Sequence, residues 1–182
     1  MAPILVTYAT SAGSTAGVAE AIGERLREAG LSVEVCPMRD VKGLTPYRAV
    51  VAGSAIQGRA WLPEAVEFVQ THRAALAQRP FAAFLVCMAL AMPGAEKYRQ
   101  GVAEWLAPVR AAVKPASEGL FAGVLDIRKV PSRMDRLKFR LSVALGIWHE
   151  GDHRDWLAIR TWAVNLLPIL SAEQRRSVSW QA

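Results

Sequence analysis

The fold is decided by residues 4–15, which read Ile4-Leu5-Val6-Thr7-Tyr8-Ala9-Thr10-Ser11-Ala12-Gly13-Ser14-Thr15. The first five residues predict a strand, and a helix is expected to begin near Ala16, so a loop of small residues, several with hydroxyl groups, joins the two. The helix would direct its unpaired N–H groups and its positive dipole end at this loop, which suits a phosphate. An ordinary turn, with Ser14 or Thr15 as the N-cap, is the alternative.

The composition of this loop limits the anion that it can hold. The loop contains no lysine of the kind that contacts a nucleoside triphosphate, and it lacks the Gly-x-Gly-x-x-Gly spacing of dinucleotide sites. It therefore predicts a single terminal phosphate, held by neutral hydrogen bonds without a fixed cation.

Short apolar runs alternate with helical periodicity along the rest of the chain. Strands are expected at 32–36, 49–53, 81–88 and 119–125, and helices at 16–29, from Pro63, at 97–112 and after Asp155. This alternation predicts an α/β fold with a doubly wound, five-stranded parallel sheet, in a single domain over residues 1–182.

Three loops are expected at the carboxyl edge of this sheet, where ligands bind in such folds. Residues 10–15 are rich in hydroxyl groups, residues 54–61 combine a flexible backbone with an aromatic side chain, and residues 88–94 are apolar. A phosphate site beside an apolar slot suits a mononucleotide with a large planar ring.

The overall composition narrows the classes of function. The chain has 182 residues, 52% of them hydrophobic, and a net charge of +6, which suits nucleic acid, anionic lipid or an acidic substrate. Nucleic acid is not expected, because no basic surface interleaved with aromatic residues is evident. The two cysteines, Cys36 and Cys87, have no metal or redox spacing, and neither a signal peptide nor a membrane-spanning run is expected, so we expect a cytoplasmic protein.

Residues 126–151 form an insert that is longer than an ordinary connection. Met134, Leu137, Leu141, Leu145 and Trp148 recur at helical spacing among cations, which predicts a basic amphipathic helix. This helix either lies on an anionic membrane or packs its apolar side on the domain, and its cations could also form a rim for an anionic substrate. The cations of this predicted rim are Arg128, Lys129, Arg133, Arg136, Lys138 and Arg140.

Other candidate sites are weaker. No Ser-His-Asp triad or carboxylate pair is evident, so no catalytic side chain is assigned. His149 and His153 are not expected to bind metal, because Asp152 is predicted as the N-cap of the last helix and Asp155 suits its dipole. Residues 171–182 are expected to form a C-terminal tail.

Residues 10–15 resemble the loop that surrounds the FMN phosphate in flavodoxin-like proteins. The chain is most similar to the branch of that family that contains the FMN-dependent, quinone-linked protoporphyrinogen dehydrogenases. This resemblance rests on residues 51–58, 68–69, 79–80 and 121–123, on the long insert, and on Asp155-Trp156 at the start of the last helix. It implies the strand order 2-1-3-4-5, with the insert between the fifth strand and the last helix.

The resemblance also implies FMN as the cofactor and assigns residues to it. The backbone near Gly58 would contact the flavin N5. The ribityl phosphate would be held by Thr10, Ser11, Gly13, Ser14 and Thr15 with the Ala12 amide; the ring would be lined by Ser54, Ile56, Gln57 and Gly58 on one side and by Met88 and Leu90 on the other, with Trp61 as a candidate stacking residue.

The implied function is that of an FMN-binding oxidoreductase similar to a protoporphyrinogen dehydrogenase. It would pass electrons from an anionic planar substrate through the flavin to a quinone, with peripheral contact at the inner face of the membrane. One alternative is a flavodoxin-type electron carrier that docks to redox partner proteins. The other is a flavin-free interaction module that binds membrane through the insert.

Overall fold

The computed structural model of the chain describes residues 2–92, 94–129, 132–147 and 149–171, without the side chain of Lys129. The predictions for Pro93, Trp148, the Lys129 side chain and tail residues 172–182 therefore lie outside the described part. Among the described residues, no helix is both long and apolar enough to cross a membrane.

Five parallel strands form the central sheet: β1 (Ile4–Ala9), β2 (Val33–Pro37), β3 (Ala49–Gln57), β5 (Phe81–Cys87) and β6 (Ser117–Ala122). Their spatial order is β2-β1-β3-β5-β6, with Ile4 paired to both Val33 and Ala49. Counting only these five strands, the order is 2-1-3-4-5, so the predicted fold class is confirmed. The central strands are apolar throughout because helices cover both faces of the sheet.

The helices divide between the two faces. One face is covered by α1 (Ser14–Glu28) and α7 (Trp156–Leu170). The other is covered by α2 (Pro63–Thr71), α3 (Arg73–Ala77), α4 (Glu96–Ala103) and α5 (Ala107–Ala112). The single helix expected over 97–112 is thus wrong: a 3-10 turn at Glu104–Leu106 interrupts it. Pro108 explains the break, since it has no N–H to donate to the carbonyl one turn earlier.

Phe84 fixes the centre of the sheet against α1 and α7. Its ring is fully buried and lies over the neighbouring strand at Gly53, where an added Cβ would lie 2.0 Å from the Phe84 Cζ. The glycine of this strand therefore makes room for an aromatic ring from the next strand. Trp162 of α7 stacks edge-on against the same ring, with centroids 6.1 Å apart.

Two regions at the carboxyl edge differ from the sequence prediction. β3 continues to Gln57 and turns back through Gly58 and Arg59, both with positive φ, into the antiparallel strand β4 (Ala60–Trp61). The residues expected as a loop after β3 are therefore largely a hairpin, whose two-residue turn suits the twist of the strands.

The insert leaves and re-enters the domain through a second, two-stranded sheet. β7 (Val124–Leu125) pairs antiparallel with β8 (Gly151–Asp152), and the predicted amphipathic helix is α6 (Arg133–Ala144) between them. The prediction of Asp152 as the N-cap of the last helix is wrong, because Asp152 lies in β8. Asp155 caps α7 instead, and its carboxylate accepts a hydrogen bond from the Ala158 N–H at 2.9 Å.

Candidate functional site

The loop after β1 leaves the N-terminus of α1 open. Gly13, in the left-handed conformation with φ of 89°, is the N-cap residue, and no side-chain cap hydrogen bond is found there among the described residues. The expectation that Ser14 or Thr15 caps the helix in an ordinary turn is therefore wrong. Thr10 Oγ1 accepts a hydrogen bond from the Gly13 N–H at 2.9 Å, which holds the loop in a curve around the helix end. The first N–H groups of α1 thus remain available to an anion.

Thr15, in the first turn of α1, carries a buried hydroxyl without a partner. Its side-chain oxygen is inaccessible to solvent and makes no hydrogen bond to any described residue. Buried hydroxyl groups in proteins are normally hydrogen-bonded, so an unpartnered hydroxyl beside an open helix end is an exception that a ligand phosphate would explain. Thr7 Oγ1 in β1 is buried and unpartnered in the same way, but it lies in the sheet rather than at the helix end.

A cavity of about 430 Å³ lies at the carboxyl edge of the sheet, within the size range of small-molecule sites. It joins the ends of β1, β3 and β5 to the start of the insert. At Gly123, beyond β6, these elements converge so closely that an added Cβ would lie 3.2 Å from Val86 Cγ1 and 3.6 Å from Ser14 Oγ. The predicted site residues that line the cavity are Ser11, Ala12, Ser14, Ile56, Gln57, Gly58 and Met88.

Six predicted cofactor residues do not line this cavity: Thr10, Gly13 and Thr15 around the start of α1, and three residues elsewhere. Ser54 is buried in β3, where its hydroxyl donates to its neighbour's carbonyl at 2.8 Å and accepts from the Leu62 N–H at 3.0 Å. Trp61 is only 2% exposed, because the β3–β4 hairpin folds its ring into the core. Leu90, in the 3-10 turn Met88–Ala91, packs against the same core. Ser54 and Trp61 therefore hold the hairpin in place, and Trp61 is not placed to stack on a ring in the cavity.

The insert supplies a wall of the cavity of which the sequence indicated only Lys138, as part of the predicted rim. Ser132 at the N-cap of α6 and the helix residues Asp135, Lys138 and Phe139 line it, together with residues 123–126. These helix residues recur at a spacing of three and four, on the face next to the exposed apolar stripe, so helical periodicity carried a usable signal. The amphipathic helix therefore has a cavity side and an outer side.

The predicted cationic rim is divided among different places. Lys138 lines the cavity and lies 3.5 Å from Asp135, while Arg128 and Arg140 line a neighbouring open cavity of about 640 Å³. Arg133 is exposed at the start of α6, and Arg136 on the same helix is half-buried. The two cavities adjoin, because Val124, Leu125 and Asp126 line both. Among the described rim cations, Lys138 lies at the first cavity, and Arg128 and Arg140 lie at the second.

The prediction of a loop without a fixed cation is wrong. Arg154, which follows β8, places Nη1 3.5 Å from the Ser14 carbonyl oxygen. Its guanidinium is held by the Asp152 carboxylate, and this hydrogen bond lowers the pKa of Asp152 below its ordinary value. No local signal marks this residue, since it is far from the loop in sequence.

Cys87 places a thiol at the end of β5, in the wall of the cavity. The side chain is buried, and burial raises the pKa of the thiol. A raised pKa keeps the thiol protonated at neutral pH, which suits a packing role and not that of a nucleophile. The cavity therefore offers an anion site at α1, a mainly apolar slot between β3 and β5, and polar side chains on α6.

Comparisons with known proteins agree with this architecture. A family model described as a flavodoxin domain matches residues 5–150. A search of curated proteins found no match. Among solved structures, a flavodoxin from Streptococcus pneumonia TIGR4 is 13% identical, with a TM-score of 0.55 over 94% of this chain and 99% of that chain. A short-chain flavodoxin associated with a bacterial microcompartment is 15% identical, with a TM-score of 0.51 over 81% of this chain and 100% of that chain.

A larger protein is also among the solved structures that the chain matches. The rubredoxin oxygen:oxidoreductase from the anaerobe Desulfovibrio gigas is 15% identical, with a TM-score of 0.46 over 92% of this chain. The chain spans only 37% of the length of that oxidoreductase.

Proposed function

The chain belongs to the flavodoxin domain family, and we propose that it binds FMN in the cavity at the sheet edge and works as an oxidoreductase. The electrons would come from an anionic planar substrate, of the protoporphyrinogen type, and would pass to a quinone. One observation carries this proposal: a single cavity joins the open end of α1 to the ends of β3 and β5 and to the amphipathic insert.

The residues of the cavity fit FMN. The open α1 terminus and the orphaned Thr15 hydroxyl suit a terminal phosphate, which Ser11, Ala12 and Ser14 would contact from the loop. Ile56 and Met88 line the cavity from opposite strands and suit the faces of a flat ring. The turn at Gly58 would present backbone polar groups to the edge of that ring, because a glycine has no side chain to block their approach.

FMN, when bound, supplies the redox chemistry, and the protein binds, orients and shields it. The apolar side chains of Val86, Met88 and Phe139 keep much of the cavity wall free of competing hydrogen-bond groups. Lys138 at the same wall, with Arg128 and Arg140 in the adjoining cavity, would pair with carboxylates of the substrate. No side chain needs to act as a catalytic acid or base in this scheme.

The outer side of α6 supports the proposal of peripheral membrane contact. Met134, Leu137, Leu141 and Leu145 are 62–67% exposed, and no residue of α6 is buried. Leucines exposed in a row beside arginines suit an anionic lipid surface, where both the apolar and the cationic groups gain favourable contacts. A quinone dissolved in the membrane would then meet the cavity across this helix.

The first experiment is an FMN titration of the purified chain, followed by turnover. We expect FMN to bind one per chain, and the loaded protein to oxidise protoporphyrinogen when a soluble quinone is present. Protein that binds no FMN would contradict the proposal. Protein that binds FMN and accepts electrons from a reductase, but does not oxidise the substrate, would instead identify an electron carrier.

Membrane contact is tested by flotation with vesicles of phosphatidylglycerol. Leu137→Ser in α6 should weaken vesicle binding about tenfold or more, because one leucine side chain is lost from the apolar surface. The matched control is Leu157→Ser on α7, outside the insert. Leu157 is 77% exposed, slightly more than Leu137 at 66%. Equal effects of the two variants would contradict docking through α6, and vesicle binding by a protein that takes up no flavin would support the interaction module.

A further inference from the structure

Arg154 lies directly on the first turn of α1. Its Nη1 is 3.5 Å from the Ser14 carbonyl oxygen, and an added Cβ at Gly17 would lie 2.4 Å from the same nitrogen. The side chain is 16% exposed, so the guanidinium is held against the helix instead of extending into solvent. A fixed positive charge therefore lies beside the first turn of α1, the turn that follows the phosphate loop.

Two hydrogen bonds and one ring contact hold the guanidinium in one orientation. Asp152 accepts hydrogen bonds from Nε at 2.8 Å and from Nη2 at 2.6 Å, and the Arg154 backbone N–H donates to the same carboxylate at 3.0 Å. The Trp156 ring lies beneath, with Cζ 4.2 Å from its centroid. Because Nε and Nη2 are used by the carboxylate, Nη1 is the nitrogen left to face the loop.

A small cavity of about 190 Å³ adjoins Arg154. It is lined by Arg154, by Ala12, Gly13 and Ser14 of the loop, and by Val124 and Asp126. Asp126 is the one carboxylate among the described lining residues, and its Oδ1 accepts hydrogen bonds from the backbone N–H and Nε of Arg128. The acidic side chain is thus engaged by another arginine, and the cation Arg154 shares this space with the loop residues at the start of α1.

We propose that Arg154 is a specificity residue that makes the site select a phosphorylated flavin over riboflavin. This inference rests on the proposed FMN site. The phosphate would receive hydrogen bonds from the α1 amides and a charge-assisted hydrogen bond from Nη1. Riboflavin, which ends in a hydroxyl group, gains nothing from the positive charge, so Arg154 acts on the difference between the two affinities.

The test measures the dissociation constants of FMN and riboflavin by quenching of flavin fluorescence. Arg154→Gln should weaken FMN binding about 10- to 100-fold, since one charge-assisted hydrogen bond is lost, while riboflavin binding stays unchanged. Arg154→Lys should restore part of the FMN affinity. Arg160→Gln, on α7 and outside the small cavity, removes a charge of the same kind and should leave both affinities unchanged.

The alternative role for Arg154 is a brace that holds β8 against α1. In that case Arg154→Gln would weaken FMN and riboflavin binding by the same factor, and the inference would be wrong. It would also be wrong if Arg154→Gln bound FMN as tightly as the unsubstituted protein. If the unsubstituted protein bound riboflavin and FMN equally well, the inference about Arg154 would be wrong, but the proposed FMN site would stand. If it bound neither flavin, both the inference and the proposed function would be wrong.

Discussion

Thr15→Val should change protein stability and FMN affinity in opposite directions. In the absence of flavin, Thr15 Oγ1 is buried and has no hydrogen-bond partner among the described residues. Valine has nearly the same shape and a similar helix propensity, so the substitution removes an unpaired hydroxyl without opening a cavity. With FMN bound, the same hydroxyl would donate to the phosphate, and valine cannot replace that contact.

The magnitudes follow from the burial of this hydroxyl. A buried polar group without a partner costs about 1–3 kcal/mol, so the flavin-free variant should be more stable by up to that amount. A hydrogen bond to a charged group contributes about 1.5–3 kcal/mol, so the FMN dissociation constant should rise about 10- to 150-fold. The two effects are measured separately, by urea unfolding of the flavin-free protein and by fluorescence titration with FMN.

Thr7→Val is the matched control for both measurements. Thr7 is also fully buried with an unpartnered Oγ1, but it lies within β1 and not in the first turn of α1. It should show the same gain in stability with an unchanged FMN dissociation constant. Equal FMN affinities for the two variants would refute the assignment of the Thr15 hydroxyl to the phosphate, and a loss of stability in Thr15→Val would refute the view that this hydroxyl is unpaired.

The remaining predictions concern the fold around the site. Gly53→Ala should destabilise the protein by about 1–3 kcal/mol or more in urea unfolding, because its Cβ would overlap the Phe84 ring; Gly43→Ala, in open space, should change stability by under about 1 kcal/mol. Ser54→Ala should destabilise by about 1–3 kcal/mol, since it leaves a buried backbone N–H without its acceptor, and it should leave FMN affinity unchanged if the hydroxyl serves only the hairpin. Burial lowers the pKa of His72 in the folded state. The stability that the neutral imidazole contributes should therefore be fully present above the unfolded pKa near 6.5, and it should be lost as the pH falls through the lower folded pKa. His72→Gln should remove that part of the pH dependence, and an unchanged profile would contradict this assignment.

The sheet and the first loop were predictable because their signals are local. The apolar runs at 49–53 and 81–88 are buried on both faces of the sheet, and a strand of this kind needs no information from distant residues. The convergence of residues 10–15 and 54–58 follows in turn from the parallel arrangement, since the carboxyl ends of all such strands meet at one edge. The cavity therefore contains most of the cofactor residues that the sequence indicated.

The errors arose where contacts over long sequence distances decide the structure. Arg59 adopts a φ of 64° that its residue type does not favour, so no sequence signal marked the hairpin that carries Trp61 into the core. The sequence predicts a phosphate loop without a cation, because no lysine or arginine lies within it. Arg154 comes close to the loop because β8 places it there. Composition identifies which residues suit a ligand, but the packing of distant segments decides which of them reach it.

The small β7–β8 sheet connects the two halves of the site. Val124 pairs with Asp152, and the His153 N–H donates to the Gly123 carbonyl at 3.1 Å, so the strand that leads into the insert is fixed to the strand that positions Arg154. One end of this sheet thus places a cation at the α1 terminus, and the other leads to α6 at the cavity wall. Because both depend on the same two-residue ladder, the insert is part of the framework of the cofactor site, and its removal should disturb the phosphate end as well as the outer wall.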